Sequence, residues 1–109
     1  MRVSGFRAVW LIVLFDLPVR TKVERKRATA FRTDLLKDGF RMMQFSVYMR
    51  PCSSEENAKT HQQRVERSLP PMGSVRVMQI TDRQFSRIRC FDGKCPSSPE
   101  EMPKQLEFF

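Results

Sequence analysis

Asp16 is the residue whose setting most invites chemistry, because it is a carboxylate that ends the uninterrupted apolar run Ala8-Val9-Trp10-Leu11-Ile12-Val13-Leu14-Phe15 and is followed by Leu17-Pro18. A carboxylate at the lip of a buried sheet is costly unless it is hydrated, paired or bound to a cation. Two readings compete there: a solvated strand-end Asp that starts the next turn, or a metal or phosphate-chemistry site. Other residue types narrow the choice. His61 is the only histidine, so neither a zinc site of the His/Cys kind nor a Ser-His triad has much support. It also falls beside a helical apolar stripe, a packing position rather than a ligand position. Cys52, Cys90 and Cys95 are odd in number and lack C-x-x-C spacing, which reads as free cytosolic thiols and argues against a metal chaperone.

The charge balance points to the partner. Lys and Arg number 20 against 12 Asp and Glu, a formal charge of +8 with a pI of about 10.1. Such a field attracts polyanions, nucleic acid first and an anionic membrane second. Candidate phosphate contacts are Arg20, Lys22, Arg25 and Lys26 around the start of a helix, with Arg76, Arg83 and Arg87 further along, beside Arg89 and Lys94. Arg2 and Arg7 ahead of the apolar run suggest a signal peptide at first sight. The run is short for a membrane span, however, and Asp16-Leu17-Pro18 replaces a small-residue cleavage pattern. The expectation is a core strand in a cytoplasmic protein with no membrane partner.

The elements that must position these residues follow from pattern. A chain of 109 residues is one domain with a real core, and a strand apolar on both faces must be covered on both. Thr21-Lys22-Val23-Glu24 is a capping box; Val23, Ala28, Phe31 and Leu35 then share a helix face, and Gly39 is placed to end the helix. Met43, Phe45, Val47 and Met49 alternate with Met42, Gln44, Ser46 and Tyr48, one strand that Pro51 stops. Ser53-Ser54-Glu55-Glu56 opens a second helix as another capping box, with Ala58, His61 or Gln62, Val65 and Leu69 as its stripe. Val75–Thr81 is a strand, and a short one over Arg87–Phe91 forms a hairpin with it. Pro96–Pro99 is a linker, and Gln105–Phe109 has strand character.

This order predicts an α+β, ferredoxin-like β-α-β-β-α-β antiparallel sheet with two helices on one face and an extra C-terminal strand. Residues 1–95 form the domain and 96–109 the linker and tail. Only one long strand stands between the helices, so the chain after residue 72 must supply others. The helix-free face carries either Trp10, Ile12, Leu14 and Asp16 or Val9, Leu11, Val13 and Phe15, and neither set is polar. A homodimer through that face is the natural cover. Leu106, Phe108 and Phe109 are then docking residues of a tail that pairs with its own sheet or a neighbour's.

Phe15-Asp16-Leu17-Pro18, the basic helix and Gly39-Phe40-Arg41-Met42-Met43-Gln44-Phe45-Ser46-Val47-Tyr48 together resemble the small CRISPR-associated adaptation protein, the ferredoxin-like nuclease-type partner of the adaptation integrase. Ile80-Thr81-Asp82-Arg83-Gln84-Phe85 and Gln105-Leu106-Glu107-Phe108-Phe109 are similar to the branch found with single-effector nuclease systems. The resemblance spans residues 6 to 109 and rests on the order of short motifs rather than on any one of them. It implies a two-fold dimer in which the Asp16 carboxylates approach across the axis and share a divalent ion, usually magnesium. It also implies metal-dependent endoribonuclease or double-strand deoxyribonuclease activity. In the adaptation complex the dimer bridges integrase dimers and carries prespacer duplex DNA. Asp16 matches the family aspartate as metal ligand and catalytic group. Ser46 and Tyr48 match positions that line the site. Competing readings are a purely non-catalytic scaffold and a generic nucleic-acid-binding ferredoxin-like module. A module of that kind, binding single-stranded RNA, would need exposed stacking aromatics, for which only Tyr48 and Trp10 are candidates and no RNP1-like string appears.

The charge reading has a direct test. If the basic residues hold duplex DNA by its phosphates, the logarithm of the binding constant falls with the logarithm of salt at a slope of about −5, as for about six contacts; a flat salt dependence would refute it.

Overall fold

An octapeptide that is apolar on both faces belongs in the middle of a sheet, and in the computed structural model, which describes residues 8–103, Val9–Asp16 (β1) lies between two partners. It is followed by α1 (Lys22–Lys37), β2 (Arg41–Gln44), β3 (Val47–Cys52), α2 (Glu55–Arg67) and β4 (Ser74–Thr81). The sheet order is β2-β3-β1-β4 with every neighbouring pair antiparallel. That is the expected α+β, ferredoxin-like arrangement. A short helix, α3 (Asp82–Ser86), and a separate hairpin of β5 (Cys90–Asp92) with β6 (Cys95–Ser97) complete it. No helix among the described residues is long and apolar enough to cross a membrane.

Several local expectations are corrected. The single strand expected over residues 42–49 is a hairpin, β2 and β3, turning at Phe45-Ser46. Alternation ran through the turn because Phe45-Ser46 has none of the Gly, Asn or Asp that a two-residue hairpin turn favours. Pro51 does not stop β3 but lies inside it, opposite Trp10. Because β2 begins opposite Met49, β3 has a single partner at Pro51, where a missing N–H donor is tolerated. Helix α2 is capped by Ser54, whose side chain accepts from the Asn57 N–H. Asn57 in turn accepts from the Ser53 N–H, so asparagine takes the place a capping box gives to glutamate. Arg87–Phe91, expected to pair with β4, instead runs from the C-cap of α3 at Arg87 into β5, and β5 pairs with β6. Pro96 and Ser97, expected in a linker, are part of β6. Leu106, Phe108 and Phe109 lie outside the described residues.

The faces of β1 decide the core. Val9, Leu11, Val13 and Phe15 face the helices and pack with Phe31, Leu35 and Val65. Trp10 and Ile12 face the other way, yet both are buried, with Met49 and Phe85. The expectation that another molecule must cover this face is therefore revised for half of it, because the chain covers the Trp10 end itself. Phe85 of α3 is fully buried and stacks on Trp10 at 3.9 Å between centroids and 10° between planes. A buried indole N–H needs an acceptor, and Asp82 Oδ1 accepts from Trp10 Nε1 at 2.8 Å. Thr81 caps α3 in a reciprocal box with Gln84, so the cover is fixed at its first turn. The Leu14 end of the face instead opens into a groove of about 610 Å³ that β5 and β6 overhang.

At the other side of the sheet a clasp joins the ends of α1 and β3 to α2. Asp38 is the C-cap of α1, an unfavourable place for a carboxylate because the helix end is already negative. Two donors offset that: Arg64 Nη1 reaches Asp38 Oδ1 at 2.8 Å, and His61 Nδ1 lies 2.8 Å from Asp38 Oδ2. The Asp38 carbonyl accepts from Arg50 Nε at 2.7 Å. Burial alone would raise the Asp38 carboxyl, but the hydrogen bonds and charges of His61 and Arg64 outweigh it, and its pKa lies below the ordinary value. A carboxyl lowered on folding contributes stability that is complete above its ordinary value of about 3.9 and lost as pH falls through the folded value. Asp38→Asn should cost about 1.5–3 kcal/mol at neutral pH, measured by urea unfolding. The gap from wild type should close as pH drops below the carboxylate range. An equal gap in acid and at neutrality would refute the clasp.

Candidate functional site

Asp16 is the last residue of β1, exposed, and opposite Ser74 in the β1–β4 register. Alternation places it on the side of Trp10, Ile12 and Leu14, away from the helices. Two backbone features fix its position. The Ser46 carbonyl accepts from the Phe15 N–H at 3.0 Å, which ties the β2–β3 turn to the residue before Asp16. Ser46 adopts φ 63° to do so, a left-handed conformation that non-glycine residues seldom take. On the other flank Gly73 has φ 102°, and a Cβ there would lie 2.8 Å from the Asp16 carbonyl oxygen and 2.7 Å from Leu17 Cδ2. The loop into β4 can lie this close to the strand end only because Gly73 has no side chain.

The other site candidates divide. Ser46 reaches the strand end through its backbone. Tyr48 is on the far side of the sheet, opposite Val13 and buried, with its ring 5.6 Å from that of Phe15. Its side chain supports Phe15 from within the core and does not line the surface at Asp16. Arg20, Lys22, Arg25 and Lys26 follow Asp16 through the entry to α1 and are all exposed. Arg25 is also structural: its Nη1 donates to the carbonyls of Val19 at 3.2 Å and Arg20 at 3.0 Å. Glu24 accepts from the Arg20 and Thr21 N–H groups, which completes the expected cap. Arg76 is exposed opposite Leu14, two residues from Ser74. Arg83 and Arg87 lie at the opposite end of the sheet, since β4 ends opposite Val9. With about 3.3 Å of rise per residue, seven steps along β1 put them roughly 23 Å from Asp16.

Nothing else in the described chain competes for the chemistry. Among the described residues, no three His, Cys, Asp or Glu side chains are grouped to hold a metal ion. His61 is 6% exposed and engaged by Asp38, so it is held away from the strand end. Cys52 is buried, and burial pushes its thiol up against the opposing pull of Arg50, which leaves it inert.

Two residues were not singled out from sequence. Gly73 carried a weak signal, as a glycine after Pro70-Pro71-Met72. Phe45 carried none, because alternation set it on an oily strand face. In the structure it is 81% exposed at the turn beside Ser46, with the Arg32 guanidinium 5.4 Å from its ring centre. The same guanidinium lies 5.7 Å from the ring centre of Phe15.

Gly93, in the two-residue β5–β6 turn, provides a control for Gly73, because its φ is 63° but a Cβ there meets nothing within 4 Å. Gly93→Ala should cost roughly 1–2 kcal/mol, the left-handed penalty alone. Gly73→Ala should cost more than that and shift the Asp16 amide resonance. Equal losses with an unmoved Asp16 resonance would show that Gly73 does not set the strand end.

The family model described as "CRISPR associated protein Cas2" matches residues 9–88, most of the chain. A protein of Flavobacterium psychrophilum, named CRISPR-associated endoribonuclease Cas2, is 49% identical over 108 residues, covering 99% of this chain and 94% of the relative. Proteins of the same name from Paracidovorax avenae (45% identical, 97% of this chain and 98% of the relative) and Parvibaculum lavamentivorans (48%, 93% and 100%) are also similar. A solved structure described as a crystal structure of Cas2 shares the fold with a TM-score of 0.56 at 21% identity, covering 88% of this chain and 98% of the other. The chain belongs to the CRISPR-associated Cas2 family.

Proposed function

We propose that this chain is a CRISPR adaptation subunit, active as a homodimer in the cytoplasm, that holds prespacer duplex DNA and bridges integrase dimers during spacer acquisition. The observation that carries this reading is the spread of basic residues along the sheet axis in a chain of the Cas2 family. Arg20, Lys22, Arg25, Lys26 and Arg76 gather toward the Asp16 end, and Arg83 and Arg87 lie roughly 23 Å away by strand rise. Phosphates recur about every 3.4 Å along each strand, so this separation matches about seven base pairs of a backbone path. Contacts of this kind position a duplex without reading its sequence. The open half of the second face, around Leu14 and Met78, suits a second copy as its cover.

The same reading carries a metal-dependent endonuclease activity at Asp16, on RNA or duplex DNA, in keeping with the endoribonuclease name of the relatives. The donor set fits half of a divalent site: one exposed carboxylate, with the neighbouring Ser46 carbonyl already engaged by Phe15. Two such carboxylates about 6 Å apart would repel by roughly 2.8 kcal/mol at an effective dielectric of 20, and a shared cation removes that repulsion. Mg²⁺ suits a ligand set this sparse because it keeps most of its waters. When bound, such an ion polarises a phosphate and activates a water. The chain's own share is to present Asp16 rigidly from a central strand. No histidine is free to act as general base there, since His61 is held by Asp38, which favours holding over vigorous cutting.

Asp16→Asn separates the two parts. Cleavage of RNA and duplex DNA with Mg²⁺ should fall at least 100-fold, the lower end of what an acid–base or metal-bound group contributes, while duplex affinity and dimerisation stay within twofold. A variant that cuts as well as wild type, or a wild type that never cuts, would overturn the nuclease part alone. Loss of duplex binding in this variant would overturn the assignment of binding to the basic residues.

A further inference from the structure

Phe45 is the most exposed of the large apolar side chains of the described residues, at 81%, and it sits in an unusual place. Burying a phenylalanine is worth about 1.5–3 kcal/mol, and a two-residue hairpin turn ordinarily takes Gly, Asn or Asp. Here the turn is Phe45-Ser46, with Ser46 held at φ 63°. The ring also has a cationic neighbour. Arg32 of α1 lies 5.4 Å from its centre and 5.7 Å from the centre of Phe15, so one guanidinium bridges an exposed ring and a core ring. The Ser46 carbonyl, next in sequence, accepts from Phe15 N–H at 3.0 Å. The ring through Arg32, and the turn that carries it through Ser46, are thus each linked to the residue that precedes Asp16.

An aromatic ring beside a cation and open to solvent is what an unpaired base stacks upon, and the adjacent positive charge suits the phosphate of the same nucleotide. The two aromatics first considered for stacking cannot serve, because Tyr48 and Trp10 are both buried. We infer that Phe45, backed by Arg32, is a stacking platform for one unpaired nucleobase, and that it sets a single-stranded or frayed nucleotide beside the Asp16 strand end. This rests on the nucleic-acid reading proposed above and deepens it: the basic residues hold backbone, and Phe45 selects for a base that is out of its duplex.

The test compares full-length wild type, Phe45→Ala and Phe45→Trp on two probes, a short single strand carrying 2-aminopurine (as DNA and as RNA) and a blunt duplex of the same sequence. Because the side chain is exposed, truncation leaves the core intact. Phe45→Ala should weaken single-strand binding roughly 5- to 150-fold, as for loss of one stacked base, and abolish the quenching of 2-aminopurine. Phe45→Trp should restore both, and duplex affinity should stay unchanged throughout. Equal loss on both probes, no loss on either, or a change in sedimentation on Phe45→Ala would overturn the inference, the last by assigning Phe45 to a contact between copies. Wild type that binds neither probe would bring down the underlying nucleic-acid reading, a result distinct from wild-type binding that Phe45→Ala leaves intact.

Discussion

The structure depends on covering β1 twice. Its residues are apolar on both faces, so neither can be left to water, and each element is placed by that demand. Helices α1 and α2 supply Phe31, Leu35 and Val65 against Val9, Leu11, Val13 and Phe15. The opposite face needs a different solution because no long helix remains. The chain turns directly from β4 into α3 and drives Phe85 onto Trp10, with Asp82 accepting the indole N–H. Five residues thereby cover the end of the sheet that would otherwise expose the largest side chain in β1. The far end of the same face keeps its groove, and Asp16 stands beside it.

The elements that follow from one-face periodicity were legible. α1 and α2 have apolar stripes with polar caps, β4 alternates, and β1 is too apolar to be anything but central. The elements that failed lack a local signal. Gln44-Phe45-Ser46-Val47 contains no Gly, Pro or Asn, so nothing local breaks the alternation of residues 42–49; the turn is held by Ser46 accepting from Phe15, a contact visible only once β1 is in place. α3 is too short for a helical period, although its Thr-x-x-Gln box was present in the sequence. The β5–β6 hairpin shows the converse, since Asp92-Gly93 was a turn signal that a pairing with β4 obscured.

The site was legible where chemistry breaks a pattern. Asp16 stands out as the carboxylate that stops an apolar run, and the fold puts it where that run predicts, at an exposed strand end. Tyr48 matched by motif alone, and its place in the motif does not reveal which face of the sheet it takes; pairing with Val13 sends it into the core. Phe45 was masked by the same misread strand, because a hydrophobic residue in an alternating stretch reads as buried. Gly73 could not be weighed without its neighbour, since what gives it meaning is the 2.8 Å approach to the Asp16 carbonyl.

Rigidity and charge are distributed differently over this molecule, and that difference bears on what it can do well. Positive charge is spread over both ends of the sheet, on exposed side chains that can follow a polyanion and are screened by salt. The carboxylate is single, and the backbone around it is fixed by Ser46 on one side and Gly73 on the other. A scaffold needs the first property and tolerates variation in any one contact. Catalysis needs the second and fails with one residue. Among the described residues a single carboxylate stands at the end of β1, and the histidine is committed to a structural clasp with Asp38. Holding a polyanion by its phosphates, as proposed above, needs only spread, exposed charge and no such set of groups.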